Sequence, residues 1–171
     1  MDQVYKIKKS LKAPMLLAVV ISLPVFVDVI SSGFPTKTLI MAITLMVLFY
    51  LFTLNNLIKR VIVSSGEVSI KSLFGSSRIA LDEISRLDGI TMGTRQFISI
   101  STKKRNHLIP NSFDDFSGII DALCALAPEE AVGADLVRLR ENVVNRRSDV
   151  TMGWITVILL AIIVFIRFFP R

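Results

Sequence analysis

One cysteine, one histidine and one tryptophan among 171 residues leave little material for reactive chemistry. The lone Cys124 excludes an intrachain disulfide and any cysteine-based zinc site. A triad or dyad built on His107 needs a nucleophile that the sequence does not place. The eight glycines form neither a phosphate-binding loop nor a dinucleotide fingerprint. Asp82, Glu83 and Asp88 lack metal-ligand spacing and read as a solvated surface. The expectation is a protein with no catalytic residues, no metal, no cofactor and no small-molecule substrate, and therefore not an enzyme.

Apolar residues, by contrast, are abundant and concentrated. At 52% hydrophobic and a mean hydropathy of +0.61, with 20% charged residues, the chain is too apolar for an ordinary soluble domain. Three runs, 13–30, 39–54 and 152–166, approach the roughly 20 apolar residues that a transmembrane helix needs. The net charge of +6 is uneven: the first 12 residues carry four Lys and one Asp, while residues 57–150 carry 13 basic and 12 acidic side chains. The basic excess is juxtamembrane rather than a nucleic-acid patch, so no nucleic-acid partner is expected.

In the first run Pro14 suits a first helical turn, where its missing N–H costs nothing, and Pro24 should kink the helix. A basic start, an apolar core and the small residues Ser31-Ser32-Gly33 also suit a signal peptide. Yet a second apolar run follows at once and Asp28 lies awkwardly for cleavage, so a retained helical hairpin turning at Ser31 to Pro35 is favoured. Asp28 reads as a residue of the far interface. Lys59 and Arg60 mark the exit from the second run, and Trp154 anchors the third, whose Arg167 must snorkel. Arg138, Arg140, Arg146 and Arg147 precede that run and only Arg167 and Arg171 follow it. The positive-inside bias then gives a multi-pass inner-membrane protein of bacterial type with its N-terminus and central segment cytoplasmic and its C-terminus external. The expected interface anchors are Lys8, Lys9, Lys59, Arg60, Arg146, Arg147 and Trp154.

Between the second and third runs the pattern changes. Val61, Val63, Val68, Ile70, Ile79 and Leu81 alternate with Ser, Lys and Arg, as half-buried antiparallel strands do. Gly66, Gly75, Gly89 and Gly93 read as turn positions. A further strand is expected over 97–102, a basic hairpin tip at Lys103-Lys104-Arg105-Asn106 and a return strand at 107–109. A helix follows over 113–126, capped by Ser112, with Asp114 and Asp115 in its first turn and Pro128 at its end. Its apolar face carries Phe113, Phe116, Ile120, Leu123 and Ala127, and Cys124 reads as a small core residue. Residues 134–150 read as a helix leading into the third span.

The stretch Gly66-Glu67-Val68-Ser69-Ile70, then Leu73-Phe74-Gly75, then Ile79-Ala80-Leu81-Asp82-Glu83-Ile84 resembles the opening of bacterial pleckstrin-homology-like (PH-like) domains. Ile98-Ser99-Ile100-Ser101-Thr102, His107-Leu108-Ile109-Pro110 and the helix after them are similar to the last hairpin and C-terminal helix of that family. The resemblance covers residues 57–127 and implies an α+β fold: transmembrane helices plus a small antiparallel β-sandwich or barrel capped by a C-terminal helix. Phosphoinositide-binding relatives carry basic residues on the first two strands and their loop, where this chain has Ser64-Ser65-Gly66-Glu67.

The expected organisation is a basic cytoplasmic arm (1–12), a transmembrane hairpin (13–56), the PH-like domain (57–128), a linker helix (129–150) and a third span (151–171). The leading functional expectation is an accessory subunit or scaffold presenting the PH-like module to a protein partner or to a second copy of itself. The alternative is sensing of anionic membrane lipids through Lys103, Lys104 and Arg105, each worth about 1 kcal/mol near a charged leaflet.

Overall fold

The computed structural model describes residues 2–144 and 148–169. Among these, five α-helices and seven strands in two antiparallel sheets make an α+β chain. It divides into two compact units, Met1–Lys8 with Ile58–Arg146, and Lys9–Leu57 with Arg147–Arg171.

The first unit holds both sheets. Strands β1 (Gln3–Lys6), β2 (Arg60–Val63), β3 (Glu67–Ser72) and β4 (Gly75–Ala80) lie side by side in that order. Strands β5 (Ile84–Met92), β6 (Arg95–Thr102) and β7 (Asn106–Pro110) form the second sheet. The period-two pattern sends Val61, Val63, Val68 and Ile79 of one sheet, and Leu87, Ile98, Ile100 and Ile109 of the other, into the core. Helix α3 (Phe116–Leu126) contributes Phe116, Ile119, Ile120 and Leu123 to the same core.

Several sequence expectations need correction here. Residues 3–6 are not part of a separate arm: they pair with β2, Tyr5 opposite Val61 and Lys6 opposite Arg60. Tyr5 and Ile7 are buried between outward lysines, and the charge of those lysines hid the alternation. Secondly, α3 starts at Phe116 rather than 113, and its cap is Asp115 rather than Ser112. Phe113 forms a β-bridge with Ile7, the Lys8 amide donates to the Ser112 carbonyl at 3.1 Å, and the Asp114 amide donates to the Lys6 carbonyl at 2.7 Å. That pairing keeps residues 112–114 out of the helix and closes one seam between the sheets. Asp115 then turns the chain at φ 48° and accepts a hydrogen bond from the Gly118 amide at 3.0 Å.

Thirdly, the expected linker helix is short and belongs to the sheet unit. Helix α4 (Ala134–Glu141) packs on β5 and buries Leu136 and Leu139. Gly89 is no turn but the middle of β5, and a Cβ there would lie 2.4 Å from the Asp135 carbonyl oxygen. Only glycine lets the helix backbone come so near the strand. Beyond α4 the chain is held by Gln96, 2% exposed, whose Nε2 donates to the Asn142 carbonyl at 2.7 Å and whose Oε1 accepts from the Val144 amide at 2.8 Å.

The second unit consists of α1 (Lys9–Ser31), α2 (Thr36–Ile58) and α5 (Ser148–Phe168), each long and apolar enough to cross a membrane. Helix α1 begins before Pro14 and continues through Pro24, so both prolines are interior. The Pro14 ring packs on Gly153, where a Cβ would sit 3.0 Å from Pro14 Cγ. Pro14 and Gly153 lie near the starts of α1 and α5, and Asp28 and Arg167 pair near their ends, so these two helices run parallel. Residues 32–35 return the chain into α2, where Ser22 and Tyr50 hydroxyls meet at 3.0 Å and Phe26 stands edge-on to Tyr50.

Candidate anion-binding site

The second seam between the sheets is open. It begins with the chemistry of one hairpin. At the end of β6, the Thr102 hydroxyl donates to the Arg105 carbonyl at 2.9 Å and accepts from the Arg105 amide at 3.1 Å, while the Thr102 amide donates to the Arg105 carbonyl at 2.9 Å. The β6–β7 tip is thereby clamped, with Lys103 and Lys104 exposed. Opposite it runs β4, the edge strand of the first sheet.

Between the two lies a groove of about 350 Å³ lined by Ser76, Ser77, Arg78, Glu83, Thr102, Lys104, Arg105 and His107. The lining residues carry two guanidinium groups, one ammonium, one imidazole and three hydroxyls against a single carboxylate. Such a set supplies charged donors and neutral donors to an anion, and Arg adds planar two-point recognition of a carboxylate or phosphate.

The structure thus divides the predicted cationic triplet. Arg105 lines the groove, Lys103 lines a smaller hollow of about 230 Å³ beside Asp82, and Lys104 lines both, as do Glu83 and Thr102. Arg78, Ser76, Ser77 and His107 were not anticipated at this site. Alternation along β4 gives each residue its face, but only the meeting of β4 with the hairpin tip brings them to Lys104.

The remaining candidates have local explanations. Cys124 is half-buried, and burial raises its thiol pKa above the ordinary value, with Arg140 opposing and Asp121 reinforcing. Arg140 and Asp121 form an ion pair at 2.5 Å between α4 and α3. Asp88 pairs with Arg86 at 2.7 Å. Of the expected interface anchors, Lys9 opens α1, Lys59 follows α2, and Trp154 lies exposed in the second turn of α5. Lys8 donates its amide to the pairing at Ser112, and Arg60 is the first residue of β2. Arg146 and Arg147, like Arg171, lie outside the described residues.

Comparison with known proteins returns no family, no curated protein and no solved structure that matches this chain.

Proposed function

We propose that this protein is a multi-pass inner-membrane protein whose cytoplasmic PH-like module binds anionic lipid headgroups in the seam between β4 and the β6–β7 tip. The observation that carries this reading is the convergence of Arg78, Lys104, Arg105 and His107 on one groove with Glu83 as its sole acid. Seven antiparallel strands in two sheets, with α3 adding buried apolar residues, support the PH-like assignment. Three apolar helices support the membrane assignment, and α1 and α5 run parallel with α2 returning between them in sequence. In that arrangement the chain leaves the start of α1, the end of α2 and the start of α5 on one side of the bilayer, where the lysine and arginine bias puts the cytoplasm.

The test is titration of the full chain in detergent with short-chain phosphatidylglycerol, with phosphatidylcholine as the neutral control. Wild type should bind the anionic lipid in a salt-sensitive way. Replacing Arg78, Lys104 and Arg105 by Ser removes about 3 kcal/mol, roughly a hundredfold in affinity. Lys103→Ser, outside the groove, should retain binding. Equal binding by wild type and the triple variant would discard the proposal.

The scaffold reading is favoured by a different observation. The outer face of the second sheet exposes Ile90, Met92 and Leu108, an apolar area that suits a protein partner or a second copy. Cross-linking in native membranes from Met92→Cys, with no captured chain, would remove that reading.

A further inference from the structure

The first sheet has an outer face of which the proposed groove takes only Ser76 and Arg78, at the β4 edge. Register puts Lys6 opposite Arg60, Arg60 opposite Lys71 and Lys71 opposite Ser76, a single row across all four strands. Tyr5, Val61, Val63, Val68 and Ile79 point inward, so this row points outward. Three cations stand shoulder to shoulder at strand spacing, an arrangement that disfavours itself through like-charge repulsion unless an anionic surface faces it. Arg78 follows on the same face, in the next row. None of these four cations enters an ion pair among the described residues.

The row marks one end of the sheet. Lys6 comes three residues before α1 starts at Lys9, and Arg60 two residues after α2 ends at Ile58. The β3–β4 turn lies at that same end, because Lys71 opposes Arg60 and only Ser72 separates it from the turn. The turn presents Phe74, 72% exposed and the one exposed aromatic of this unit among the described residues. Gly75 leaves it at φ 148°, and the Ser72 hydroxyl donates to the Gly75 carbonyl at 3.0 Å, so the tip is a formed turn. Cations in a row beside an exposed aromatic ring are the chemistry of the bilayer interface, where the ring enters the headgroup level and the charges meet anionic lipids.

We infer that the Lys6–Arg60–Lys71 row and Phe74 form a docking edge that seats the module on an anionic leaflet. The inference rests on the membrane-spanning reading of α1 and α2, and it is separate from the headgroup seam. Connection through two short chain crossings limits how far this edge can travel from the bilayer, since one residue spans at most about 3.6 Å. Docking fixes its orientation. Each cation contributes about a fivefold gain in attachment.

The experiment uses the full chain with Cys124→Ser, reconstituted in nanodiscs of phosphatidylglycerol or of phosphatidylcholine. A polarity-sensitive fluorophore is attached at Phe74→Cys, at Met92→Cys or at Leu45→Cys. The expected result is a blue-shifted label at 74 in phosphatidylglycerol that reverts in high salt and in the Lys6→Ser, Arg60→Ser, Lys71→Ser background. The label at 92 should stay aqueous and the label at 45 should stay apolar. A label at 74 as aqueous as that at 92, with 45 still apolar, overturns the docking edge alone. An aqueous label at 45 overturns the spanning reading and the docking edge with it.

Discussion

Arg167 donates from Nε to Asp28 Oδ2 at 2.9 Å and from Nη2 to Oδ1 at 3.3 Å, joining α5 to α1 across 139 residues of sequence. Two of the charges carried by the apolar helices are thus one bidentate pair, and each answers the desolvation of the other. Asp28→Asn and Arg167→Gln should each destabilise the helix group, and the double variant should lose less than the sum. A coupling of about 1 kcal/mol is expected from a double-mutant cycle of thermal unfolding in detergent. Strict additivity would show the pair to be energetically idle.

Gly89→Val should loosen α4. The new side chain meets the Asp135 carbonyl and Leu139 Cβ, at 2.4 and 2.8 Å from its Cβ alone. Overpacking of this kind costs about 1–3 kcal/mol. Hydrogen exchange should quicken at residues 134–141 while the β6 amides stay protected; unchanged protection of α4 would refute the close packing.

Alkaline pH should weaken the sheet unit through Tyr5. Burial first, and then the Asp115 and Asp121 carboxylates, raise its phenol above the ordinary 10.0. The unfolded chain loses this proton before the folded one does. The contribution of the neutral phenol is therefore fully present below about pH 10 and is lost as pH rises through the folded value. Tyr5→Phe removes the donation to the Gly118 carbonyl at 3.0 Å, costing about 1 kcal/mol at neutral pH. Denaturant midpoints of the variant should then fall less steeply than those of wild type in the alkaline range.

Glu83 and Arg78 should move anion affinity in opposite directions. Glu83 is the acid that lines the seam, and Arg78 enters it from β4. Glu83→Gln should tighten short-chain phosphatidylglycerol binding and Arg78→Ser should weaken it, each by about fivefold. Parallel changes in the two variants would place the bound lipid elsewhere.

The apolar helices and the strands from β2 to β4, β6 and β7 were legible because their patterns are local. Strand β5 was not, because Gly89 read as a turn and the strand's apolar side is interrupted where α4 takes the place of a side chain. Strand β1 was not, because four residues gain strand structure only from a partner that follows two long helices in sequence. Half of the seam was visible as Lys104 and Arg105, while Arg78 and His107 have no signal beyond their own charge.

By itself the sequence determined three apolar helices, an alternating segment between them and the poverty of reactive groups, since hydropathy and period act over neighbouring residues. Tertiary structure decided which charges stand together: Asp28 with Arg167, Lys6 with Arg60 and Lys71, and Arg78 with Arg105. Those groupings come from strand register and helix packing between distant segments, and no local pattern encodes the distance between two side chains that the fold has yet to bring together.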